Sequence, residues 1–286
     1  MKKIITVLVL SIITFGYGFA QTSVWQISKD DKEIYLGGSI HMLRAKDFPL
    51  PHEFDIAFSS ADVLVLEADI NTPEILNKIL KESMLPDKLT LKSVLTKQQY
   101  KKIDNAAYDI GIPILMIENM KPAMALITLT TVAIQKVGAS EKGVDMYYYD
   151  KVTARNKKID FLESIDFQIN LICNNPFDIN EFIEYSIAGM KNLDTESKFG
   201  KFIKSWRTGK NTGEKEINEM KEKYPSVYKA MVSDRNYNWL QKIEKYFEDD
   251  TKRFVIVGAA HLWGSDGLLN LLKEKGYEIK QMQANK

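Results

Sequence analysis

Gly38 and His41 stand three residues apart, and so do Gly258 and His261. Each pair follows an apolar run, Ile34-Tyr35-Leu36 before the first and Phe254-Val255-Ile256-Val257 before the second, and each histidine precedes two large apolar residues, Met42-Leu43 and Leu262-Trp263. The chain has only three histidines, so two of the three share one local frame. Two glutamates stand at comparable places: Glu67 near the end of DVLVLEAD (62–69) and Glu163 near the end of KIDFLES (158–164). Neutral imidazole and carboxylate together suit zinc, manganese, cobalt or iron, and such a set can leave a coordination position for water. An ion held there would lower the pKa of its water and polarise a carbonyl. One glutamate outside the ion's ligands could then act as general base.

Each of these residues also has a structural use. A strand-end histidine is commonly a hydrogen-bonded structural group. Glu67 could pair with a lysine or lie near the start of the helix expected after Pro73, where negative charge is favoured, and Glu163 could do the same for a helix after Ser164. His52, in LPHEF, reads as an exposed or helix-capping residue and not as a ligand.

The elements that must position these groups are legible as pattern. EIYLGGS (33–39), 62–69, 158–164 and RFVIVGAA (253–260) are nearly continuous apolar runs that stop at polar or glycine residues, as buried strands do. SVWQIS and YEIKQM alternate, which predicts edge or half-exposed strands. Apolar spacings of three and four predict helices over 74–83, 97–110, 123–135, 179–190 and 224–247, with prolines at or near several starts. GLLNLLKEKGYEI reads as helix, glycine stop and strand, giving the C-terminal part a βαβ order. The run 122–134 is too short to span a membrane and is bracketed by Lys121 and Lys136, so it reads as a core helix. Residues 193–223 are rich in Lys, Glu, Thr and Gly, which predicts a solvated helical connection with loops around 208–213. In an open α/β sheet, ligands bind outside the carboxyl ends of the strands, and that is where both histidines and both glutamates fall.

Residues 1–20 have the charge and apolarity of a secretory leader: Lys2 and Lys3, an apolar stretch from Ile4, then Gly18-Phe19-Ala20 as a cleavage site before Gln21. Left uncleaved, the stretch would tether the protein to a membrane. The expected destination is a bacterial periplasm or an outer surface, with residues 21–286 forming one domain. Lysine plus arginine number 39 against 38 acidic residues, with no long block of either sign, which argues against nucleic acid as a partner. A single cysteine, Cys173, permits no internal disulfide, so the fold must rest on an ordinary core.

GGSIHML, DVLVLEAD, KGVDMYYYDKV, KKIDFLESIDFQ, SDRNYNW and VGAAHLWGSDGLLNLLKEKGYEI, in that order, resemble the successive signature blocks of the TraB/GumN family over essentially the whole chain after the leader. That family is similar to the TIKI proteins, reported as metal-dependent proteases, and more distantly to erythromycin esterases and ChaN-like haem-binding proteins. The resemblance implies an α/β fold whose central mixed sheet is built from two related halves, with a large helical insertion between the Gly-x-x-His motifs. It implies an exported metal-dependent hydrolase, a peptidase acting on a peptide or protein; the alternative is a non-catalytic metal- or haem-binding envelope protein. His41 and His261 take the metal-ligand role by this resemblance, with Glu67 and Glu163 as acidic partners, one as ligand and one as base in an order left open. The matching blocks also bring in Arg235, as a cation for a substrate carboxylate or an oxyanion, Gln168, as a group orienting Glu163, and Asp145 in KGVD. Manganese, cobalt and zinc are the ions expected.

Overall fold

The structure, a computed structural model, describes residues 21–69, 72–140, 142–155, 157–174, 176–209 and 213–283. The expected leader over 1–20 lies outside the described residues. Among the described residues there are six strands: β1 (Gln21–Lys29), β2 (Lys32–Ser39), β3 (Val63–Leu66), β4 (Lys158–Phe161), β5 (Arg253–Gly258) and β6 (Glu278–Gln283). They form one mixed sheet in the order β4-β3-β5-β2-β1-β6. The four strands β4, β3, β5 and β2 run parallel, while β1 is antiparallel to both β2 and β6.

Side chains alternate between the two faces along each strand. Phe254 and Ile256 of β5 enter one apolar layer with Phe54, Phe58, Tyr148 and Trp206. Val255 and Val257 enter the other, with Trp25, Trp239, Ile243, Leu268 and Leu272. A strand covered on both faces must be apolar at every position, which is why RFVIVG reads as an unbroken run. A third core, drawn from residues between 91 and 232, forms a helical lobe that is inserted in sequence between the two Gly-x-x-His motifs. The helix Pro122–Lys136 belongs to it, and among the described residues no helix is long and apolar enough to cross a membrane.

Several expectations are revised. SVWQIS is not an edge: β1 lies between β2 and β6, and its Val24 and Ile27 are fully buried. KIDF, expected to be buried, is instead the edge strand β4, paired only with β3 and half-buried along Ile159 to Phe161. The stretch 193–223 is not a solvated connection. Its helix Glu196–Arg207 sends Phe199, Ile203 and Trp206, spaced four and three apart, into the main core. Trp206 Nε1 donates to Gly38 O at 2.7 Å, so this helix braces the strand end that leads to His41. Finally, 224–247 is not one α-helix: Pro225–Tyr228 is followed by a π-turn, Lys229–Ser233, and then by the helix Asp234–Lys245.

Candidate active site

The register of the parallel strands brings the four candidate loops side by side. Ser39 of β2 faces Gly258 of β5, and Leu66 of β3 faces Phe161 of β4. The β3–β4 pairing runs on beyond the strands, with Glu163 N donating to Glu67 O at 2.9 Å. Gly258 sits at the centre. A methyl group on it would stand 3.4 Å from Glu67 Oε1 and 3.6 Å from both His261 Cδ2 and His41 Nε2. Both histidines and Glu67 therefore converge on one point at the carboxyl edge of the sheet. Gly258 also donates its N–H to Glu67 Oε1 at 2.6 Å, fixing that carboxylate across the strand end.

Arg235 binds the rest of the cluster together. Its Nη2 donates to Glu67 Oε2 and, at 2.8 Å, to Glu163 Oε1; its Nε reaches Glu163 Oε2 at 3.2 Å. Nη1 donates to His261 Nε2 at 3.1 Å and to Met231 O at 3.3 Å. The residue is buried, and its guanidinium lies 4.5 Å over the Trp239 ring, four residues along the same helix. Glu163 is saturated: Gln168 Nε2 donates to Oε1 at 2.6 Å and Trp239 Nε1 to Oε2 at 2.9 Å, beside the two bonds from Arg235. Glu67, which accepts only from Arg235 and Gly258 among the bonds described, is the carboxylate with acceptor capacity left.

Both imidazoles are held through Nδ1. His261 is buried, and its Nδ1–H donates to Asn236 Oδ1 at 2.7 Å, while its Nε2 lone pair accepts from Arg235. Asn236, which the sequence reading did not single out, is fully buried and also donates to the carbonyls of His261 (3.1 Å) and Asp266 (2.7 Å). Its neighbour Arg235 faces the same cluster, directly after the π-turn, a widened turn of the kind found at functional sites. His41 differs in being open: its side chain is 64% exposed, and its Nδ1 lies 3.2 Å from Asp145 Oδ1. Asp145 arrives because Val144 N donates to Ile40 O, with Gly143 packed where a side chain would strike the His41 backbone. Ser39 Oγ donates to the same carboxylate at 2.6 Å.

The electrostatics follow from these contacts. Burial would raise the Glu67 carboxyl, but the Arg235 guanidinium above all pulls it down to about 2. Burial, and next Arg235, push His261 down to about 3, so it is neutral. Asp145 raises His41 above its ordinary value. Burial raises Glu163 in spite of Arg235.

Two predictions arise here. Asn236→Ala strands one buried N–H and two buried carbonyls, and it should destabilise the fold by at least about 2 kcal/mol in urea unfolding; a smaller effect would contradict this bonding. The second concerns acid. The unfolded chain takes a proton on His261 near 6.5, whereas the folded one resists until about 3, so stability is present above that window and falls as pH drops through it. Glu67 adds to this loss between 4.5 and about 2. In His261→Asn the stability profile should be flatter than wild type between these upper limits, and an identical profile would count against a neutral, buried His261.

In donor chemistry the set fits a divalent ion: two imidazoles, each with Nδ1 tied to an oxygen, flank a carboxylate, which is the second-partner support that metal-binding histidines have, although Nε2 of His261 is here taken by Arg235. As placed, no three His, Cys, Asp or Glu side chains among the described residues stand close enough together to hold one. The cation lying among the acceptors is the Arg235 guanidinium.

The family model of the TraB/PrgY/gumN family matches residues 23–281. The uncharacterized protein YbaP of Escherichia coli K12 is 22% identical over 245 residues, covering 85% of this chain and 89% of the relative. YbaP of Shigella flexneri is similar to the same extent. No solved structure matches the chain.

Proposed function

The chain belongs to the TraB/PrgY/gumN family, and from that membership and the geometry of the cluster at the strand ends we propose an exported, metal-dependent hydrolase that cuts amide bonds in a peptide or protein. The observation that carries this reading is the convergence of His41, His261 and Glu67 around Gly258, with both rings held through Nδ1. These three residues are the donors we assign to a manganese, cobalt or zinc ion. When bound, such an ion polarises the substrate carbonyl and lowers the pKa of water.

The remaining residues work through position and charge. Asp145 and Asn236 fix the ring orientations of His41 and His261. Glu163, with all four acceptor positions engaged, is an anchor for Arg235 and not a base. Arg235, gripped by Glu163 and backed by Trp239, supplies fixed positive charge where an oxyanion builds or a substrate carboxylate rests. His41 is the exposed member of the cluster, and a substrate would meet it first. Export would follow from the leader over 1–20.

A peptide library digested with purified protein, with and without added manganese, cobalt or zinc and followed by mass spectrometry, tests the reading. Cleavage that requires the ion and stops with chelator is expected. An ion-loaded protein that cuts no peptide would remove hydrolysis and leave binding alone.

A further inference from the structure

The helix Pro73–Glu82 buries none of its residues, although it carries Ile75, Leu76, Ile79 and Leu80. An amphipathic helix ordinarily covers its apolar stripe, yet Leu76 and Leu80, four residues apart, are 51% and 66% exposed. The stripe continues through Met84 and Leu89, at 43% and 41%. Leu85 N donates to Asn119 O and Leu91 N to Glu118 O, each at 2.8 Å, and Met84 bridges to Met120. These bonds set the stretch against the turn that follows Leu115 and Met116, which are 80% and 67% exposed. Among the described residues, the adjoining segments thus present a group of large exposed apolar side chains, a feature that marks an interaction surface.

The charges select the partner. Lys81, Lys88 and Lys92 are exposed within the same stretch, and among the described residues none makes an ion pair. Of the acidic groups nearby, Glu82 pairs with Lys121 and Glu118 accepts from Tyr100 Oη, leaving Glu74 and Asp87 against the lysines. A symmetric contact between two copies would set this patch, with its lysines, against itself. Exposed leucine and methionine in one stretch with unpaired lysines instead match an anionic lipid surface, where apolar groups enter the headgroup boundary and lysines meet phosphates. We propose that this face of the helical lobe docks on anionic phospholipid membrane.

Docking would also orient the site. Lys78 pairs with Asp166 in the first turn of the helix Ile165–Cys173, two residues beyond the loop that carries Glu163 and Ser164. The patch therefore adjoins the Glu163 side of the site. On the hydrolase reading, this would present membrane-bound substrates to it; lipid binding itself stands apart from that reading.

Co-sedimentation with phosphatidylcholine vesicles, with or without phosphatidylglycerol, tests the proposal. Binding to the anionic vesicles alone is expected, weakened by salt, falling roughly tenfold or more in Leu76→Asp/Leu80→Asp and several-fold in Lys81→Glu/Lys88→Glu. Wild type and variants share one N-terminus, so the difference between them reads the patch alone. The substituted side chains are exposed, and thermal unfolding checks that the fold is kept; Leu115→Asp/Met116→Asp is a second variant with the same expected loss. Wild-type protein that ignores anionic vesicles, variants that bind as wild type does, or a wild-type dimer that Leu76→Asp/Leu80→Asp converts to monomer would each overturn it.

Discussion

Replacing Arg235 with alanine should destabilise the protein by about 3–5 kcal/mol, because two buried carboxylates lose the cation they share. A chain of this size should then melt on the order of 10 °C lower. The loss exceeds that of an ordinary surface ion pair by several-fold, since Glu67 and Glu163 are both largely withdrawn from water and cannot recover solvation in place. The same substitution should make the protein more responsive to divalent ions. Arg235 donates to His261 Nε2 and to Glu67 Oε2, two of the acceptors assigned to the ion, so its guanidinium and a metal compete for them. Added manganese, cobalt or zinc should therefore raise the melting temperature of Arg235→Ala more than that of wild type, by linkage to binding. A variant within about 1 kcal/mol of wild type would contradict a central role for this arginine in holding the cluster.

The opposite profile is expected for His41→Ala. The side chain is largely exposed, so folding stability should stay within about 0.5 kcal/mol of wild type. Ion-dependent hydrolysis should nevertheless fall by about 10²-fold or more in kcat/KM, because the ring is assigned as a donor to the ion. Asp145→Asn should follow in the same direction with a loss of about 10- to 100-fold, as removal of a ring-orienting partner does. Unaltered hydrolysis by His41→Ala would remove His41 from the site. Together these variants separate residues that hold the cluster from residues that act at its open side.

The strand ends that carry the site were legible because parallel strands covered on both faces leave unbroken apolar runs that stop where the loops begin. The position of β4 at the edge was not, since the order of strands depends on crossovers that periodicity does not encode. β1 read as an edge for a similar reason: β6, its outer partner, comes from the other end of the chain. The helix Glu196–Arg207 was hidden by its lysines, although Phe199, Ile203 and Trp206 kept the helical spacing that could have exposed it. Arg235 came to the site through resemblance alone, because arginine on a helix normally extends to solvent. Asn236 went unnoticed beside it. It follows the π-turn by three residues, and that widened turn has no periodic signature in the residues 229–233.

Elemental analysis of the purified protein after loading with manganese, cobalt or zinc bears most directly on the metal site. About one ion per chain is expected in wild type, with none retained by the His41→Ala/His261→Ala double variant under the same washing. Wild-type protein that keeps no ion, or a double variant that keeps as much as wild type, would contradict a metal site at these strand ends.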